Sequence, residues 1–152
     1  MHINQKEFED RIDKFKEILK RSGIKLTHQR LEIYEEVARS VDHPDAETIF
    51  KGVRKRMPTV SLDTVYRTLW MLLDLGIITT LGTNHRKTRF DANVKGHHHF
   101  VCSNCGKTLD FYSREFDQLK IPNTMKMIGD VQKTQVIIEG ICKQCQKKKN
   151  NY

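Results

Sequence analysis

The sequence predicts an α+β protein of two small domains, a helical half followed by a half that contains strands and binds metal. Three observations support this prediction. Apolar residues recur at helical spacing as far as Gly76. Two short β-prone runs then flank a loop with glycine, asparagine and basic residues. Two Cys-x-x-Cys pairs follow, and 152 residues suffice for domains at 1–90 and 91–152.

The composition bears on where the chain works and on its partners. The N-terminal segment holds no apolar run long enough for a signal peptide or a membrane span, so we expect a cytoplasmic protein without a membrane partner. In that compartment the four cysteines are expected as metal-binding thiolates and not as two disulfides. The net charge of +8 favours an anionic partner, although the basic tail Lys147–Tyr152 is expected to be a solvated terminus.

Four helices are predicted in the first domain from apolar spacing and from residues that begin or end helices. The first helix is predicted from Phe8 to Leu19, before Gly23, and the second begins after its cap Thr27 and ends around His43 and Pro44. The third is predicted from about Ala46 to Met57, before Pro58. The fourth begins after its cap Ser61 and ends at Gly76.

The fourth helix has the features of a DNA-recognition helix. Its buried stripe is predicted at Val65, Leu69, Leu72 and Leu73. Its early exposed positions are predicted at Thr64, Tyr66, Arg67 and Thr68, where recognition helices meet base edges. An ordinary amphipathic helix would show the same pattern by itself.

The two β-prone runs after this helix favour a DNA-recognition helix over an ordinary amphipathic one. Ile77–Leu81 and Lys87–Phe90 are predicted to pair as a hairpin whose basic residues, His85, Arg86, Lys87 and Arg89, would approach phosphates. Helices followed by such a hairpin predict a winged helix-turn-helix that binds double-stranded DNA, with Lys25 and the wing adding phosphate or minor-groove contacts.

The cysteines predict a structural zinc site. Cys102 and Cys105 form a Cys-x-x-Cys-Gly turn, and Cys142 and Cys145 form a second pair. Two such pairs favour a tetrahedral four-thiolate Zn²⁺ site over a redox-active pair, which would need only one of them. The ion would join the end of the second domain to its beginning.

The histidines next to the first pair predict a second metal site. On a strand, His97 and His99 share one face while His98 lies on the other. A returning strand over Thr108–Phe111 would bring Asp110 close to them, and Asp91 precedes them by a few residues. Nitrogen and carboxylate ligands suit iron, manganese or zinc, and polar residues on an exposed strand face are the alternative.

The chain closely resembles the ferric uptake regulator superfamily of bacterial metal-dependent repressors. The matching segments run in family order over nearly the whole chain and are LTHQR from Leu26, HPDAETIF from His43, SLDTVYRTL from Ser61, TRFD from Thr88 and HHHFVCSNCGKTLDF from His97. The resemblance implies a homodimer with an N-terminal winged helix and a C-terminal α/β dimerisation domain with a zinc-stapled three-stranded sheet. It also implies an A·T-rich inverted repeat as operator.

Carried over by resemblance, the structural zinc ligands are Cys102, Cys105, Cys142 and Cys145. The ligands for regulatory Fe²⁺ or Mn²⁺ are His43, Asp91, His97, His99 and Asp110. Gly96 and Thr134 stand where some members carry ligands of another metal site, so we do not expect that site, and His98 has no assigned role.

With aspartate at position 91, the ligand set resembles that of the peroxide-sensing branch, whereas iron-sensing members typically carry glutamate at this position. In that branch, bound Fe²⁺ reacts with hydrogen peroxide, a ligand histidine gains oxygen and the DNA is released. The histidines at risk by resemblance are His43 and His97. A repressor that responds only to metal supply is the alternative. A metalloenzyme is disfavoured because the sequence shows no nucleophile, phosphate loop or HExxH motif.

Overall fold

The computed structural model describes residues 3–81 and 88–149. The chain divides into two compact units, Met1–Val94 and Lys95–Tyr152. The first is mainly helical and the second contains a sheet, in agreement with the predicted α+β class. The boundary expected between residues 90 and 91 lies within a strand of the first unit. Within the described ranges, no helix has the length and apolar character needed to cross a membrane.

The first unit contains the four predicted helices, α1 (Gln5–Arg21), α2 (His28–Arg39), α3 (Ala46–Arg54) and α4 (Leu62–Asp74). The predicted caps of α2 and α4 are confirmed, because Thr27 Oγ1 accepts from the Arg30 N–H and Ser61 Oγ accepts from the Thr64 N–H. Helix α3 ends three residues earlier than expected. The N–H groups of Arg56 and Met57 both donate to Val53 O, so the last turn tightens before Pro58.

The wing strands are β1 (Thr79–Leu81) and β2 (Arg89–Asp91), which pair antiparallel as predicted. Strand β1 starts two residues later than expected because Ile77 closes the end of α4. Its N–H donates to Leu72 O, and Gly76, with φ of 67°, donates to Leu73 O. The basic tip residues His85, Arg86 and Lys87 lie outside the described residues.

The first unit has one continuous apolar core. It packs the inner faces of all four helices against Ile77, Ile78 and Phe90. Phe15 and Tyr34 stack at its centre with ring centroids 4.4 Å apart. The core therefore holds α4 and β2 in fixed positions from which their exposed residues project.

The second unit is built on a three-stranded sheet in the order β4-β3-β5. Its strands are β3 (His98–Cys102), β4 (Thr108–Phe111) and β5 (Ile137–Gly140), with β3 antiparallel to β4 and parallel to β5. The short helix α5 (Arg114–Asp117) and a 3₁₀ helix (Asn123–Met127) connect β4 to β5, and α6 (Lys143–Lys149) follows.

Candidate metal and DNA-binding sites

The four cysteines of the second unit meet at one end of its sheet. Cys102 ends β3, Cys105 lies in the turn to β4, Cys142 follows β5 and Cys145 lies on α6. Their sulfur atoms lie within 4.8 Å of one another. Tetrahedral Zn²⁺, with zinc–sulfur distances of about 2.3 Å, places its ligands about 3.8 Å apart. The Cys105 and Cys142 sulfurs are 3.8 Å apart, so the cluster fits this ion.

The thiols differ in their readiness to ionise. Backbone N–H groups, that of Cys142 first and that of Cys105 next, lower the pKa of the Cys102 thiol to about 6. A hydrogen bond with Asn104 lowers the pKa of Cys145, but hydrogen bonding with Cys142 and burial raise it to about 11. Four adjacent thiolates repel one another, so a divalent cation is needed to hold all four deprotonated.

Two histidines and a carboxylate form a second donor cluster in the same unit. Strand pairing places Asp110 opposite His99, as the hairpin prediction required. The Nε2 atoms of His97 and His99 are 2.9 Å apart, and Asp110 Oδ1 lies 3.5 and 3.3 Å from them. Ligands at right angles around an ion, with metal–nitrogen distances of about 2.1 Å, are about 3 Å apart. The pair therefore has the spacing of neighbouring ligands on one ion.

The outer hydrogen bonds of these histidines fix which nitrogen faces the cluster. His97 Nδ1 lies 2.6 Å from Lys95 O, which can only accept, so Nδ1 donates to it and Nε2 is the nitrogen that faces the cluster. His99 Nδ1 lies 3.0 Å from the Gln135 amide, which can supply either a donor or an acceptor. Gln135 was missed in the sequence, where nothing marks it as a neighbour of a ligand.

The first unit carries a donor pair of its own. His43 Nδ1 lies 3.6 Å from Asp91 Oδ1, and both residues are buried. Asp91 also accepts from the Asn93 N–H at 2.7 Å. Burial of an imidazole beside a carboxylate is costly unless they bind each other or a cation, and this pair suits a divalent ion.

Helix α4 carries the candidate DNA-contacting side chains. Arg67 is 81% exposed and its Nε lies 2.8 Å from Asp63 Oδ2, while Tyr66 is 40% exposed. Lys25, before α2, is also exposed. The prediction that Thr68 is exposed is wrong, because Thr68 follows Val65 by three residues and precedes Leu72 by four, which places it on the buried stripe.

Trp70 is a further exposed residue of α4, one that was not predicted from the sequence. It is 60% exposed, one turn beyond Tyr66 on the same side of α4. The signal was present, since its position falls outside the stripe of Val65, Leu69 and Leu72.

His98, the histidine without an assigned role, has partners on the opposite face of β3. Its Nε2 lies 3.1 Å from Asp117 Oδ1, and its Nδ1 accepts from the Val136 N–H at 3.2 Å. The rings of Phe111 and Phe116 pack against it. His98 therefore ties α5 and the segment before β5 to the middle strand.

Comparisons with known proteins show which family the chain resembles. Residues 21–139 match the model of the ferric uptake regulator family. The chain is 33% identical over 135 residues to the peroxide operon regulator of Bacillus subtilis, covering 89% of this chain and 93% of that protein. It is 31% identical over 132 residues to the peroxide-responsive repressor PerR of Staphylococcus epidermidis, covering 87% and 88%.

A solved structure gives the same result. The Campylobacter jejuni peroxide stress regulator superposes with a TM-score of 0.68 at 27% identity, covering 85% of this chain and 97% of that one. With a family model matching most of its length and relatives above 30% identity, this chain belongs to the ferric uptake regulator family.

Proposed function

We propose that the protein is a metal-dependent transcriptional repressor that senses peroxide through oxidation of a histidine that binds the regulatory metal. The observation that carries the proposal is the donor chemistry: two histidines with a carboxylate in one unit, and a histidine with a carboxylate in the other. Neither set alone fills the coordination sphere of Fe²⁺ or Mn²⁺, which commonly take about six ligands. One ion shared by His43, Asp91, His97, His99 and Asp110 would satisfy both sets.

Such sharing would link metal binding to DNA binding. The first unit carries α4 and the second carries the sheet, so an ion bound by both would limit their relative orientations. A homodimer held in one shape presents its two recognition helices at a fixed spacing, which selects an inverted repeat. We expect the protein to act in the cytoplasm on an A·T-rich operator. Tyr66 and Arg67 would contact the bases, and Lys25 would contact the DNA phosphate backbone.

The second unit offers a surface for the partner copy. Its sheet and connecting segment expose large apolar side chains, namely Leu109, Tyr112, Leu119, Ile121, Met127, Ile128, Val131, Ile137 and Ile138. Large exposed apolar side chains that cluster mark interaction surfaces, so we expect the partner copy to cover these. Zinc bound by the four cysteines would hold the strands that carry it in place.

Peroxide sensing would use the same donors. When bound, Fe²⁺ supplies the electron chemistry that splits the O–O bond of hydrogen peroxide. One peroxide oxygen would insert into an imidazole C–H bond of His43 or His97, and the other would leave as water with both peroxide protons. Asp110 is a quarter exposed while His97 and His99 are buried, so solvent reaches the donors of the second unit through Asp110. An oxidised imidazole is a poorer ligand, so the ion would dissociate. The protein would then release the operator.

Mass spectrometry of the Fe²⁺-loaded protein after brief peroxide treatment tests this proposal. We expect one added oxygen on the peptides carrying His43 and His97, and none on either after loading with Mn²⁺. His28, exposed on α2 and outside both donor sets, is the matched control. Unmodified His43 and His97 in protein that retains Fe²⁺ would leave a repressor responding to metal supply alone. Repeated peroxide turnover without loss of the site would indicate an enzyme.

A further inference from the structure

We propose that Arg89 is a positioning residue for the metal ligand His43, and that it acts on the backbone of the His43 loop and not on DNA. The inference rests on the proposed regulatory site and adds to it a residue without a ligand atom. It also changes the role of Arg89, which is predicted from the sequence to be one of the phosphate-contacting residues of the wing.

The backbone at His43 needs an external constraint. Its φ is 48°, and among the described residues the other positive φ values belong to glycines. Residues other than glycine adopt this left-handed conformation rarely, and surrounding contacts must hold them there. The loop between α2 and α3 therefore does not place the His43 imidazole by its local preference alone.

Strand β2 supplies the constraint. The Arg89 guanidinium donates from Nη1 to His43 O at 3.1 Å and to Asp42 O at 3.4 Å. The backbone adds an antiparallel bridge between Asp45 and Arg89, and the Phe90 N–H donates to Pro44 O at 3.0 Å. These contacts lie on both sides of His43, so the loop is fixed before and after the ligand.

The same strand carries the other ligand of this unit. Asp91 is the last residue of β2, and its Oδ1 lies 3.6 Å from His43 Nδ1. A strand that provides one ligand while holding the loop of the second fixes the distance between them. Outer hydrogen bonds that orient a ligand normally strengthen metal binding about 10–100-fold.

Removing the guanidinium separates its effect from that of the backbone contacts. Arg89→Ala leaves the Phe90–Pro44 hydrogen bond and the strand bridge possible, so we expect the unit to fold. Arg89→Lys retains one charged donor and serves as the conservative variant. Arg56→Ala is the matched control, because Arg56 binds Glu32 and Glu36 at 2.5 and 2.9 Å and its removal loosens the same unit elsewhere.

Mn²⁺ titration of the zinc-replete full chain is the first test. We expect Arg89→Ala to weaken Mn²⁺ binding by about 10–100-fold, Arg89→Lys to lie between it and the unmodified protein, and Arg56→Ala to bind normally. At saturating Mn²⁺, operator affinity of Arg89→Ala should return to the normal value. Unchanged Mn²⁺ affinity in Arg89→Ala, an equal loss in Arg56→Ala, or an operator defect that persists at saturation would each overturn the proposal.

The pattern of oxidation is the second test. With Fe²⁺ and peroxide, Arg89→Ala should lower the ratio of oxidised His43 to oxidised His97, since His97 is held by Lys95 in the other unit. An unchanged ratio would contradict the positioning role. Absence of oxidation at both histidines in the unmodified protein would refute peroxide sensing, and the Mn²⁺ titration would still decide the role of Arg89.

Discussion

The N-terminal unit buries hydrocarbon, whereas the C-terminal unit buries metal-binding groups. The apolar core of the described chain lies within the first unit. In the second, among residues 95–149, the buried side chains are His97, His98, His99, Cys102, Thr108 and Cys145. Many of its large aliphatic residues are exposed, Leu109, Ile128 and Ile138 among them. The first unit therefore has the means to fold by the hydrophobic effect, while the second depends on an ion and a partner surface.

Zinc removal should give the largest difference between the units. We expect a chelator, or Cys142→Ser, to unfold the second unit and abolish the dimer, because about 10–16 kcal/mol of zinc binding is folding free energy in small zinc domains. The first unit should keep its helical circular dichroism and its melting transition. If zinc removal instead unfolded both units together in a single melting transition, the two units would not differ in their dependence on the ion.

Phe15→Ala should produce the opposite result. Phe15 is fully buried, so the substitution should lower the free energy of unfolding of the first unit by about 3–5 kcal/mol. Zinc content should not change. Met127→Ala is the matched control, since Met127 is 89% exposed in the second unit and its removal from the monomer should cost less than about 0.5 kcal/mol. Denaturant titration of each variant measures both effects.

Alkaline pH should weaken the first unit through Tyr34. Burial raises the pKa of Tyr34 to about 12, whereas the unfolded chain ionises it near 10. The stabilisation is complete below about pH 10 and falls by about 2–3 kcal/mol towards pH 12, because the unfolded chain releases the proton first. Denaturant unfolding at several pH values should show a smaller decline in Tyr34→Phe, and equal declines would count against the assignment.

The smallest changes in stability are expected from the polar contacts of His98. His98→Ala should destabilise the second unit by about 1–3 kcal/mol, since it leaves the Val136 N–H without its acceptor. Asp117→Ala should cost only about 0.2–1 kcal/mol, because Asp117 is more than half exposed. Thermal melts of the zinc-loaded variants rank the two. A larger loss in Asp117→Ala would show that the side-chain contact with Asp117, and not the backbone contact, matters.

Local sequence patterns predicted most of the fold. The spacing of Phe8, Ile12 and Phe15, with caps at Thr27 and Ser61, located the helices, because apolar period and capping are properties of neighbouring residues. Element ends were less accurate at Met57 and Ile77, where the chain closes a helix through hydrogen bonds that composition does not reveal.

By itself, the sequence determined the helix order, the hairpins, the four-cysteine cluster and the face shared by His97 and His99. Strand alternation and Cys-x-x-Cys spacing act over a few residues, so they are visible without coordinates. Only the tertiary structure decided the partners of His98, the place of Gln135 beside His99 and the turn of Arg89 towards the His43 loop. Those contacts join residues far apart in the chain, and such pairings depend on how the elements pack.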